Sequence, residues 1–147
     1  MRAAWPRLPM AAAARYRAGM KMSLDSADGA YRIQGYVDGR IRINDVLYAE
    51  SLLLMPDTLV TGWEPRSLEA LGEAHLAAIR SLDPEVVLLG TGTRQRFPAR
   101  ELMLSLLEDG VGLEIMDTAS ACRTYNVLMA EGRRVLAALI IDAADPD

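Results

Sequence analysis

The segment from Glu85 to Ile141 narrows the fold most, because strand-like apolar runs alternate there with helical stripes. Glu85–Leu89 (Glu-Val-Val-Leu-Leu) is a nearly continuous apolar run of the kind buried on both faces of a sheet, and it runs into Gly90-Thr91-Gly92. Pro98 suits a first helical turn, Leu102, Met103, Leu106 and Leu107 form one face, and Gly110 suits the C-terminal cap. Val111–Met116 is a second strand. Asp117 or Thr118 can cap the next helix, whose apolar stripe is Ala121, Cys122, Tyr125, Leu128 and Met129 and which Gly132 closes. Val135–Ile141 is a third strand, followed by an acidic tail. Strands joined through helices need crossover connections, so these three are expected to form a largely parallel core sheet.

The first half has a different period. Tyr31–Tyr36 and Arg40–Asn44 alternate polar and apolar residues around Asp38-Gly39, a strong hairpin signal. Asn44-Asp45 is a second turn leading to Val46-Leu47-Tyr48. Ser51–Met55 is a short apolar run stopped by Pro56-Asp57, and Leu59–Trp63 is a further strand. These strands form an antiparallel meander that extends or covers the core sheet. Between the halves, Leu68, Leu71, His75, Leu76 and Ile79 have the spacing of one amphipathic helix, ended by Asp83-Pro84. No repeat or linker interrupts the pattern, so residues 23–147 are expected to form a single α/β domain.

Half of the 147 residues are hydrophobic, enough for a compact core. Charge is uneven. Residues 1–22 hold Arg2, Arg7, Arg15, Arg17 and Lys21 and no acid, whereas the remainder carries 11 basic and 20 acidic residues. A domain that acidic is a poor fit to nucleic acid, whose binding depends on neutralising phosphates. No apolar run reaches the length that spans a bilayer. The basic start is expected to be a disordered or overextended N-terminus, which places the protein in a bacterial cytoplasm. If residues 1–22 are a transit peptide, the location is the mitochondrial matrix. Cys122 is the only cysteine and His75 the only histidine, so neither a disulfide nor a metal site is expected, and no cofactor is implied.

Candidate binding residues cluster at two places. Gly90, Thr91 and Gly92 follow a buried strand, and ligands of open α/β sheets sit beyond the carboxyl ends of strands. Arg94, with Arg96 and Arg100, would favour an anion there. The pattern lacks the third glycine of a dinucleotide fingerprint and the lysine of a phosphate-binding loop, and a tight strand exit needing positive φ accounts for it equally. The second group is on the last helix. Asp117 and Thr118 stand at its start, near the Gly-Thr-Gly turn. Cys122 lies on its apolar stripe, where a small packed thiol is the ordinary role. Asn126 can hydrogen-bond a ligand or a neighbouring loop. No catalytic residue is evident: no general base accompanies Cys122, and His75 reads as a core-edge histidine on another helix.

Pro84–Gly92 (PEVVLLGTG), Phe97-Pro98 and Met116–Glu131 (MDTASACRTYNVLMAE) together resemble the family of mitochondrial complex I assembly factor three and an adipogenesis-associated cytosolic protein. The resemblance spans residues 22–143. It implies a three-layer α/β fold with a mixed sheet, N-terminal β-hairpins and two to three helices, and no established catalytic activity. It also implies protein partners, among them complex I subunits or another assembly factor. The function expected is therefore a non-enzymatic assembly or interaction protein, with a homo-oligomer as a further form. The alternative is a small-molecule or anion-binding protein, or an enzyme, with its site at Gly90–Gly92.

Overall fold

The structure, a computed structural model, describes the backbone of Lys21–Ser23 and the whole of residues 30–142; the expectations for residues 1–20 and for the acidic tail past 142 lie outside the described residues. In chain order the strands are β1 (Lys21–Ser23), β2 (Ile33–Val37), β3 (Arg40–Ile43), β4 (Val46–Tyr48), β5 (Leu52–Met55), β6 (Thr58–Thr61), β7 (Val86–Gly90), β8 (Gly112–Met116) and β9 (Val135–Leu139). The helices are α1 (Glu73–Ser81), α2 (Arg100–Glu108) and α3 (Thr118–Ala130), with a 3-10 turn at Leu68–Ala70. A six-stranded sheet has the order β1-β6-β5-β9-β7-β8, and a separate three-stranded sheet has the order β2-β3-β4.

The expected parallel core is present as β9, β7 and β8, and β5 then pairs antiparallel with β9, which makes the sheet mixed. The chain steps outward from β7 to β8 through α2 and returns across β7 to β9 through α3. Right-handed crossovers that travel in opposite directions must lie on opposite faces of a sheet. Accordingly α1, α2 and the 3-10 turn cover one face, where Leu53, Val87, Leu89, Leu136 and Ile140 meet Trp63, Leu76, Ile79 and Leu106. On the other face Leu54, Leu88, Val135 and Ala137 meet Ala121, Cys122 and Tyr125 of α3, together with Ile33, Ile41, Ile43 and Tyr48 of the small sheet. These are the three layers that the resemblance implies.

The hairpin turns follow from residue chemistry. Asp38 and Gly39 have φ of 55° and 71°, and Asn44 and Asp45 have φ of 45° and 73°. Both pairs make two-residue turns with positive φ at both positions, the geometry that matches strand twist. The meander, however, is divided. β2–β4 form their own sheet over the α3 face, while β5 and β6 join the large one. Alternation inside a strand specifies its two faces but not the sheet it enters.

Two further expectations are corrected. The helix read from Leu68 to Ile79 is broken: the chain is extended at Leu71 and Gly72, and α1 starts at Glu73. Glycine is unfavourable inside a helix and serviceable at its cap. The Nδ1 of His75 accepts the Gly72 N–H at 2.9 Å, which satisfies the helix start. Leu68, Leu71, Leu76 and Ile79 all bury as the period requires. The last strand ends at Leu139 rather than Ile141; Ile140 N–H makes the final ladder bond to Gly90 O, and Ile141 N–H turns instead to the Ser51 hydroxyl. Near the start of the chain, Lys21 and Met22 of β1 pair with Val60 and Leu59 of β6.

Candidate functional site

The carboxyl ends of β7 and β8 form the crevice where the crossovers diverge to opposite faces, the place an α/β sheet offers a ligand. Here the chain fills it with its own side chains. Thr118, fully buried, accepts the Gly92 N–H on its hydroxyl at 2.8 Å and donates to Ile140 O at 2.8 Å. Its own N–H bonds Gly92 O at 2.9 Å. Gly90 admits this approach: a Cβ there would lie 3.0 Å from both Cα and Oγ1 of Thr118. Gly92 has φ of 102°, the positive value expected of a tight strand exit. Thr91 is buried too, with its N–H on Met116 O at 2.9 Å and its hydroxyl donating to Arg94 O at 2.6 Å. Gly90, Thr91, Gly92 and Thr118 thus form a closed clasp between β7, β8, β9 and α3. It was Thr118, more than Asp117, that met the glycine turn.

Asp117 is the α3 N-cap. Its carboxylate accepts the Ser120 N–H at 2.8 Å and the Ser120 hydroxyl at 2.9 Å. Burial pushes this carboxyl up, but the Ser120 hydrogen bonds and nearby Arg123 outweigh it and hold it below the usual range. Arg94 is exposed, outside the clasp.

Cys122 and Asn126 belong to a second feature. One turn apart on α3, they line a groove of about 270 Å³ with Ala119 and Arg123 on one side and Ile33, Gln34, Gly35 and Tyr36 of β2 on the other. Asn126 joins the two walls of the groove by pairing with β2 as a strand would. Its Oδ1 accepts Ile33 N–H at 3.0 Å and its Nδ2 donates to Ile33 O at 2.6 Å, which ties the edge of the small sheet to α3. The Arg123 guanidinium donates to the Ser120 hydroxyl at 3.0 Å at the groove's α3 side. Burial pushes the Cys122 thiol up to about 12, well above what a nucleophile at neutral pH requires. His75 is on α1, across the large sheet from Cys122, and packs edge-on to Trp63.

The eight candidate residues therefore divide. Four make the clasp, Asp117 caps α3, Arg94 is solvated, and Cys122 and Asn126 line the groove. The wall of β2 was missed as part of a site. Its residues signal only a strand, and their approach to α3 spans more than 90 positions of sequence.

These features define a three-layer α/β domain with a mixed sheet, a self-filled crevice and an open groove between helix and hairpin. The chain belongs to the family described as protein of unknown function (DUF498/DUF598), which it matches over residues 33–140. The solution structure of a Xanthomonas campestris protein is 41% identical, with a TM-score of 0.74, over 83% of this chain and 92% of that one. A Francisella tularensis protein named "13 kDa major membrane protein" is 32% identical over 71% of this chain and 86% of its own length. Human NADH dehydrogenase (ubiquinone) 1 alpha subcomplex assembly factor 3 is 30% identical over 79% of this chain; the match spans 63% of the human protein. The resemblance read from the motifs is borne out, and an assembly role exists within this family. No described helix is long and apolar enough to cross a membrane.

Proposed function

We propose that this chain is a non-enzymatic assembly or interaction protein that serves the assembly of respiratory complex I in a bacterial cytoplasm. Its partners are early subunits of that complex or a second assembly factor. The similarity to assembly factor 3 across 118 residues carries the reading. The clasp supports it, because Thr118 occupies the crevice in which a sheet of this type ordinarily holds a substrate. The test is affinity purification of the tagged full chain from its native host. Respiratory subunits or a paired factor should be enriched, and a deletion strain should accumulate incomplete complex I. Neither result in a host that has the complex would end the reading. Fractionation tests the location: recovery with the membranes would place this chain with its Francisella relative's name instead.

A second reading is favoured by the groove, which is large enough for a small organic anion near Arg123, Asn126 and Cys122. A bound ligand at a hundred times its dissociation constant would add about 2.7 kcal/mol of stability. A thermal-shift screen of carboxylates and nucleotides that moves the melting temperature, with the shift lost in Arg123→Ala, would support it. No shift across the screen would remove it.

A further inference from the structure

The small sheet presents a second surface that neither the clasp nor the groove explains. In β3, Ile41 and Ile43 point into the core, so Arg40 and Arg42 stand on the outer face, about 6.8 Å apart along the strand. Being on the central strand, they occupy the middle of that face. Register places Val37 across from Arg40, and Gly35 and Leu47 on either side of Arg42. Val37 is 68% exposed, the highest value among the large apolar side chains described. Arg32 lies on the same face, since its neighbours Tyr31 and Ile33 are buried. None of these three arginines has an ion-pair partner among the described residues; those pairs fall to Arg80, Arg96 and Arg133. The acids of the same hairpins are in the turns, and Asp45 is already held by Gln34.

Gly35 connects this face with the groove. A Cβ there would meet nothing within 4 Å, and Gly35 also lines the groove that Arg123 borders. An arginine strip therefore runs across β3, where the guanidinium groups have no ion-pair partner among the described residues, and over a gap at Gly35 to Arg123 on α3, whose guanidinium also donates to the Ser120 hydroxyl.

We infer that this strip docks an acidic, extended segment of a protein partner. Carboxylates two residues apart in an extended chain repeat every 6.8 Å or so, the spacing of Arg40 and Arg42, and guanidinium forks bind carboxylates bidentately. The folded part of the chain carries an excess of acid, so a long polyanion such as nucleic acid is repelled from most of its surface, whereas a short acidic segment needs only these arginines. The inference deepens the assembly reading by naming the partner's chemistry.

The test is fluorescence anisotropy of the full chain with a labelled ten-residue peptide alternating Glu and Val. A Lys-Val peptide and a ten-nucleotide single strand serve as the other arms. The acidic peptide should bind, and its affinity should fall several-fold between low and moderate salt. It should fall at least tenfold in Arg40→Glu/Arg42→Glu and in the milder Arg40→Gln/Arg42→Gln. Gly35→Val, which fills the gap without backbone strain, should weaken binding while leaving the melting temperature within a few degrees. No binding of the acidic peptide, wild-type affinity in both arginine double variants, or tighter binding of the oligonucleotide overturns the inference. A double variant that still enriches respiratory subunits would sink this surface and leave the assembly reading standing.

Discussion

Replacing Thr118 by Val keeps the shape of the side chain and deletes the hydroxyl that joins two strands to α3. Two buried backbone groups lose their partner at once: the N–H of Gly92 and the carbonyl of Ile140, each at 2.8 Å from Oγ1. A buried polar group left unpaired costs about 1–3 kcal/mol. The second methyl of Val returns a little through burial, so the net loss should be about 3 kcal/mol. At roughly 3 °C per kcal/mol for a chain of this size, the melting temperature should fall by about 10 °C. Thr118→Ser is the control. It keeps both hydrogen bonds and loses one buried methyl, worth about 1 kcal/mol. Urea unfolding followed by far-ultraviolet circular dichroism reads both, and the expected order of stability is wild type, Ser, Val. A valine variant within about 1 kcal/mol of wild type, or more stable than the serine variant, would refute the view that hydrogen bonding rather than shape closes the crevice.

Three other outcomes follow from single side chains. With its thiol pushed up to about 12 from 9.0, native Cys122 should react with Ellman's reagent at pH 8 about a thousandfold more slowly than the urea-unfolded chain. Ionisation of that thiol favours the unfolded state, so stability should hold below pH 9 and decline towards pH 12, less steeply in Cys122→Ala. Rapid native labelling would place the sulfur at the surface. Asn126→Asp sets a carboxylate against Ile33 O, where the amide donated at 2.6 Å. It should cost about 2–3 kcal/mol at pH 8 and less at pH 4, where a protonated carboxyl can donate again; pH-independent loss in urea titrations would contradict this. Asp117→Ala should cost about 1 kcal/mol at pH 7, and Asn should recover most of it. Since the native carboxyl is held low, its contribution is present above the unfolded-state range and fades as the pH falls through it; an alanine variant should show no such fade.

Legibility in the sequence tracked locality. The turns at Asp38-Gly39 and Asn44-Asp45 could be read because the residues that adopt positive φ are few. The stripe of α3 could be read because Ala121, Cys122 and Tyr125 are spaced for one helix face, and all three are buried. Gly90 could be recognised as a place where something approaches the backbone. Whether a ligand or the chain itself approaches is decided by Thr118, and nothing in the glycine turn identifies it. Gly72 shows the converse: the period of Leu68, Leu71, Leu76 and Ile79 reports a buried face and is silent on whether the backbone between them is continuous. Asn126 was expected to hydrogen-bond a ligand or a neighbouring loop, and its partner is Ile33, in a strand of the other sheet.

The edge of the large sheet bears on where a partner can dock. Gly112 and Met116 of β8 bond inward to β7, so by alternation Leu113 and Ile115 direct their backbone groups outward. An open edge of this kind invites strand pairing. The Gln95 side chain takes the Ile115 carbonyl at 2.8 Å, so among the described residues of β8 Leu113 alone offers both groups outward. One residue is too short a template for a seventh strand or for a second copy in register. Helices and the small sheet already cover both faces of the large sheet. Among the described residues, the outer side of β2–β4, where β3 presents its arginines, remains an extended surface open to a protein partner.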